Sequence, residues 1–207
     1  MKKLNQILRE GVYDPGIFKA FFLAGGPGSG KTFVTRSAFG GTGLKLVNSD
    51  AAFERGLKKA GLSLKMPDVE EYFRNIVRAK AKMTTATQLD TYMQGRLGLV
   101  TDATGRDINV INNQKSMLDL VGYDSYMVFV NTSLDVALQR NRDRPRSLPD
   151  AIIINSHKQI QKNMGKLQRI FGARNFVVVD NNEPAEDVNP TVNKRIRGMV
   201  DRAPTSY

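Results

Sequence analysis

The chain of 207 residues has no cysteine, no tryptophan and a single histidine. Without thiols there is no disulfide, no thiolate metal site and no cysteine nucleophile. One imidazole cannot build a multi-histidine metal centre and argues against a histidine-based triad. No apolar run approaches the roughly 20 residues of a membrane span. The opening residues MKKLNQILRE lack the uninterrupted apolar region of a signal peptide. These absences fit a cytoplasmic protein. Acidic residues are scarce as well: 20 Asp and Glu stand against 31 Lys and Arg, giving a net charge of +11 and a pI near 9.9. Such a field attracts polyanions, nucleic acid first among them. Solubility, or attraction of a small polyanion, is the plainer alternative. With 41% hydrophobic residues, the length suits one sizeable core, and a single domain over residues 1–207 is expected.

What is present centres on FKAFFLAGGPGSGKTF, residues 18–33. An apolar strand over 17–24 leads into Gly25-Gly26-Pro27-Gly28-Ser29-Gly30-Lys31-Thr32, and a helix is expected after it. This is G-x-x-x-x-G-K-T in its strand–loop–helix setting, the phosphate loop. Glycines let backbone N–H groups turn toward phosphate oxygens with no Cβ in the way. The helix opening near Gly30 adds its positive end. Lys31 reaches the β- and γ-phosphates, and Thr32 offers a hydroxyl to Mg²⁺. The chain is therefore expected to bind ATP or another nucleoside triphosphate.

Helical spacing of Leu4, Ile7, Leu8 and Val12 predicts a helix over 1–16. A second strand over 44–47 ends in Asn48-Ser49-Asp50. A helical region spans 51–96. Within it Asp68 is expected to cap a helix whose apolar face is Val69, Tyr72, Phe73, Ile76 and Val77, with a separate helix from Thr84 to Arg96. A third strand over 97–101 ends in Asp102-Ala103-Thr104-Gly105-Arg106, followed by a helix through Val121. A fourth strand over 126–130 leads to a helix capped by Ser133. That helix gives way near Gln139 to an arginine-rich segment over 140–150. Ile153, His157, Ile160, Met164, Leu167 and Phe171 mark a long packed helix, with His157 as a core residue. A fifth strand over 176–179, a polar loop, a basic helix over 191–202 and a loose tail complete the chain. Alternating strands and helices predict an α/β fold: a five-stranded parallel sheet covered on both faces. Ligands bind at the carboxyl ends of such strands. The phosphate loop, Asp50, Asp102 and the segment after Val130 should meet there.

That convergence suggests a kinase. Asp50 is the candidate base for an acceptor hydroxyl, although an aspartate there would also cap a helix. Asp102 stands where a carboxylate holds Mg²⁺ through water, or it orients the acceptor; the two roles can be exchanged. Arg140, Arg142, Arg144 and Arg146 form a cationic lid stiffened by Pro145 and Pro149. From Leu134 to Arg174 nine Lys or Arg face three Asp, an excess suited to a polyanionic acceptor. No guanine-reading motif is found.

These residues resemble the P-loop kinases that include zeta toxins and phage polynucleotide kinase. The loop at 25–32 and Asn48-Ser49-Asp50 are similar to both. Asp102-Ala103-Thr104-Gly105-Arg106 resembles the zeta-toxin Glu-Gly-Thr-Gly-Arg, in which Thr and Arg contact substrate, with Asp102 replacing Glu. Gln139-Arg140-Asn141 and Arg146-Ser147-Leu148-Pro149 resemble the lid of both. The resemblance implies the P-loop NTPase three-layer sandwich, Asp50 as catalytic aspartate, Arg140 and Arg146 on the transferring phosphate, and Thr104 and Arg106 on the substrate. Phe53 stands where polynucleotide kinase has an arginine. A related phage group, similar in its small size and basic balance, phosphorylates hydroxymethylpyrimidines in DNA. The expectation is thus an ATP- and Mg²⁺-dependent kinase of a nucleic-acid hydroxyl, DNA favoured. A zeta-toxin-like kinase of a nucleotide sugar and a non-catalytic nucleic-acid binder are the alternatives.

Overall fold

The computed structural model describes residues 16–144, 147–183 and 186–205. Five strands, β1 (Lys19–Ala24), β2 (Lys45–Val47), β3 (Leu99–Thr104), β4 (Asp124–Asn131) and β5 (Phe176–Asp180), pair in the order β2-β3-β1-β4-β5. Every ladder is parallel. The helices between them are α1 (Lys31–Phe39), α2 (Ser49–Lys59), α3 (Glu71–Gln94), α4 (Ile108–Leu120), α5 (Leu134–Arg142), α6 (Asp150–Phe171) and α7 (Pro190–Val200). This is the three-layer P-loop NTPase fold that the sequence predicts.

Parallel strands need both faces covered, and β1 is buried along its whole length. Its side chains alternate between two cores. Phe22 joins Ile111, Leu118, Ile160 and Leu167 beneath α4 and α6. Phe21 and Leu23 join Val34, Ala38, Ile196 and Met199 beneath α1 and α7. Burying each large side chain contributes about 1.5–3 kcal/mol. Lys19 opens this strand fully buried, its Nζ 2.8 Å from Asp124 Oδ2. Burial lowers the lysine pKa and the carboxylate opposes that shift. Asp124 also accepts from the Thr205 amide at 3.1 Å. The tail expected to be loose is tied to β4 as far as Thr205.

Three further expectations are corrected. Residues 71–94 form one continuous helix, not two. No glycine or proline interrupts it, and Thr84, Thr85, Thr87 and Thr91 donate their hydroxyls to carbonyls one turn back. Asp68 does not cap it. A 3₁₀ turn over Asp68–Glu70 precedes the helix, and the Glu70 carboxylate accepts from the Ser63 amide. Finally, of the expected apolar face only Val77 packs, against the small cluster of Phe53, Leu57 and Ala81. Val69, Tyr72, Phe73 and Ile76 are exposed: among the described residues no hydrophobic cluster takes them in, whereas Val77 joins that of α2. The helix predicted over 1–16 lies, apart from Gly16, outside the described residues.

Candidate active site

The loop from Gly25 to Thr32 wraps from the end of β1 to the start of α1. The Gly25 amide donates to the Thr104 carbonyl at 3.0 Å, and the Ser29 amide to that of Gly26 at 3.1 Å. Gly28 and Gly30 adopt φ of +80° and +88°, where a side chain is strained. A Cβ on Gly28 would lie 2.3 Å from the Ala137 carbonyl oxygen, so α5 presses against the loop there. Pro27 is half-buried and Thr32 exposed. Ser29 is 3% exposed, and its buried hydroxyl makes no hydrogen bond among the described residues. An orphaned, buried hydroxyl within this glycine-rich loop fits a bound phosphate.

Two side chains that the sequence reading left unassigned brace this loop. The Ser29 carbonyl accepts from Asn181 Nδ2 at 2.7 Å and from Thr132 Oγ1 at 3.1 Å. Asn181 follows β5 directly and Thr132 follows β4, so strand ends from two neighbours hold one peptide of the cradle. Arg140 Nη1 donates to the Asn181 carbonyl at 2.7 Å and lies near Gly30. His157, half-buried on α6, has Nε2 2.8 Å from the Thr132 carbonyl. It supports the brace from behind. Isolated polar residues at strand ends carry no periodicity, and only the strand-end rule could have pointed to them.

On the other side, Lys31 Nζ donates to the Gly25 carbonyl at 2.7 Å and stands 3.6 Å from Asp102 Oδ1. Asn48 Nδ2 reaches Asp102 Oδ2 at 3.3 Å, while its Oδ1 accepts from the Asp50 amide at 2.7 Å. Asn48 therefore caps α2 and links the segment carrying Asp50 to Asp102, a second role the sequence reading did not give it. Asp50 is exposed in the first turn of α2. Thr32 and Asp102 supply hard oxygen donors beside the cradle. Such a pair suits Mg²⁺, which takes one or two protein ligands and completes its shell with phosphate and water.

The remaining candidates are dispersed. Thr104 sits at the end of β3 with φ of +49°, its amide 3.4 Å from Asp102 Oδ1. Arg106 points toward α6, 3.5 Å from Ser156 Oγ. Arg142 pairs with Asp150 at 2.7 Å on the exposed surface, and Arg144 is exposed just past α5. Arg146 lies outside the described residues. The segment expected as the lid is clasped at its two ends: Asn141, 3% exposed, donates to the Leu148 carbonyl at 2.7 Å and accepts from its amide at 3.0 Å.

Residues 21–167, most of the chain, match the AAA_33 family, described as an AAA domain. The chain belongs to the AAA_33 family. Among solved structures it is similar to a Chloroflexus aurantiacus J-10-fl protein provisionally assigned as a kinase. The TM-score there is 0.61 at 17% identity, over 92% of this chain and 98% of that one. It is similar as well to a chain of the Pnkp1/Rnl/Hen1 RNA repair complex, with TM-score 0.56 and 20% identity, over 72% of this chain and 46% of that one. A third likeness is to the PezAT chromosomal toxin–antitoxin system of Streptococcus pneumoniae, with TM-score 0.54 and 15% identity, over 87% of each chain. No curated protein matches. At these identities the likenesses speak to the fold alone of this AAA_33 member.

Proposed function

We propose that the protein is an ATP-dependent phosphotransferase that moves the γ-phosphate to a hydroxyl carried by nucleic acid. One observation carries the reading: the phosphate cradle has a cation-bearing helix on one flank and a linked Lys31–Asp102–Asn48–Asp50 series on the other. Phosphoryl transfer asks for this division of labour, with charge neutralisation opposite an acceptor-activating carboxylate. The acceptor oxygen attacks the γ-phosphorus and its proton passes to Asp50. The bond from that phosphorus to the bridging oxygen breaks, and ADP leaves. Lys31 and Arg140 neutralise the charge that spreads over the equatorial oxygens. Thr32 and Asp102 would hold Mg²⁺, which would supply positive charge to offset that of the phosphates. Arg106, and Arg146 by its resemblance, are assigned to the acceptor and the moving phosphate.

The net charge of +11 supports a polyanionic acceptor. The likeness in fold to a chain of an RNA repair complex supports it also. The test is label transfer from γ-labelled ATP to plain DNA, hydroxymethylated DNA, RNA and nucleotide sugars. Transfer to a nucleic acid is expected. Asp50→Asn should lower the rate by ~10²–10⁴ while ATP binding persists. Label appearing in a nucleotide sugar alone would refute the acceptor class. Equal loss of transfer and ATP binding in Asp50→Asn would refute the base.

A further inference from the structure

Beside the phosphate cradle lies a cleft of about 610 Å³, of a size that holds a nucleotide. One wall is the turn after β3, with Arg106, Asp107 and Asn109. The other is the outer face of α6, with Gln159, Asn163 and Lys166. We propose that this cleft is a second subsite, which grips the phosphate-bearing unit flanking the reactive hydroxyl of the acceptor. The inference rests on the phosphotransferase reading for the word acceptor. The binding it predicts can be measured without any transfer.

Three observations carry it. First, the cleft is built. Asn163 is 7% exposed, and its Nδ2 donates to the carbonyls of Gly105 and Arg106 at 3.1 and 2.8 Å. That amide fixes the turn carrying Arg106 against α6. Second, the cleft adjoins the cradle. Ile160 neighbours Gln159 on α6, and its Cδ1 lies 3.7 Å from where a Cβ on Gly26 would stand. Gly105, at the rim, packs on Ala24 at the end of β1. The helix and the turn that wall the cleft thus also pack on the cradle and on the strand that leads into it. Third, the lining has a definite chemistry. Arg106 and Lys166 bring two cations. The one carboxylate, Asp107, is already occupied as the cap of α4, accepting from Asn109 and Val110 at 2.9 and 3.2 Å. The amides of Asn109 and Gln159 each offer a donor and an acceptor. Cations paired with amides suit a phosphodiester and the edge of its base. A neutral acceptor without a neighbouring phosphate would leave both cations unused.

The experiment uses Lys166→Glu and Gln159→Ala in the full chain. Gln159 and Lys166 are both exposed, so folding is not at stake. Binding of a fluorescent single-stranded oligonucleotide is read by anisotropy over a range of salt. In parallel, kcat/KM for that oligonucleotide is compared with kcat/KM for the matching mononucleoside. Lys166→Glu is expected to weaken oligonucleotide binding tenfold or more. It should also lower the slope of log K against log salt by about 0.7, one phosphate contact on a single strand. The ratio of the two kcat/KM values should fall by a similar factor, and Gln159→Ala should alter base preference more than salt slope. Unchanged affinity and slope in Lys166→Glu would overturn the subsite, whatever the enzyme phosphorylates. Normal loss of binding with no transfer to any acceptor would leave the subsite standing and refute the kinase instead.

Discussion

The brace on the phosphate loop gives the sharpest quantitative test. Asn181→Ala removes a 2.7 Å hydrogen bond to the Ser29 carbonyl from a side chain that is 6% exposed. A buried bond of this kind contributes ~0.5–1.5 kcal/mol. The carbonyl keeps Thr132 Oγ1 at 3.1 Å, so the single variant does not orphan it. Thr132→Val, nearly the same shape, should cost a similar amount for the same reason. The double variant leaves a buried carbonyl with neither side-chain donor and adds a desolvation penalty of ~1–3 kcal/mol. The two losses should therefore exceed their sum, with a coupling of about 1 kcal/mol. Urea unfolding of the four proteins measures it. Because the braced peptide belongs to the cradle, ATP affinity should fall alongside, about 3–10-fold in each single variant. Fluorescent-nucleotide titration reads that fall. If the double variant is additive within ~0.3 kcal/mol, the shared carbonyl is not what the two side chains hold.

Three other outcomes are expected. Gly28→Ala puts a Cβ 2.3 Å from a backbone oxygen at a φ of +80°; thermal unfolding should drop by several degrees, and nucleotide binding should be lost with it. Burial pushes the Tyr123 and Tyr126 phenols up to about 12, so between pH 10 and 12 the unfolded chain releases protons that the folded chain keeps. Stability should fall through that window by about 3 kcal/mol per tyrosine, and denaturation against pH should show a shallower fall in Tyr123→Phe. Lys19, lowered by burial, acts with the opposite sign and raises stability as pH climbs toward 10.5. Tyr72→Ser should leave the unfolding free energy within ~0.5 kcal/mol of the parent, because this ring is 72% exposed; a larger loss in urea unfolding would mean that α3 packs on something else.

The loop and the sheet were legible because their signals are local and redundant. A strand, six glycine-rich positions and a helix all say the same thing between residues 17 and 39. The carboxyl-end rule then placed Asp102 beside Lys31 without any further motif. The brace was not legible. Asn181 reads as one polar residue in a polar loop, and its value comes only from β5 ending beside β4. Asn48 was seen as part of a tripeptide, but its bridge to Asp102 depends on β2 lying against β3. The α3 error has a different cause. Helical spacing reports that one face is apolar, and it says nothing about whether a partner is there to cover it. Likewise a separate helix was expected to begin at Thr84, where the threonines at 84 and 85 sit inside one continuous helix. Their hydroxyls find carbonyls only once the helix exists. At Arg140, Arg142 and Arg144, charge alone grouped three side chains that the fold sends to three different places.

The arm made by α2 and the first half of α3 stands on a small cluster of three buried side chains, Phe53, Leu57 and Ala81, while Asp102 lies in β3 and Lys31 opens α1 just after the loop that follows β1. The two carboxylates on the acceptor side thus belong to ground of unequal firmness. Amide hydrogens in the arm should exchange well before those of β1 and β4. Any solvent or temperature that thaws the arm alone would part Asp50 from the cradle while the cradle still grips its nucleotide.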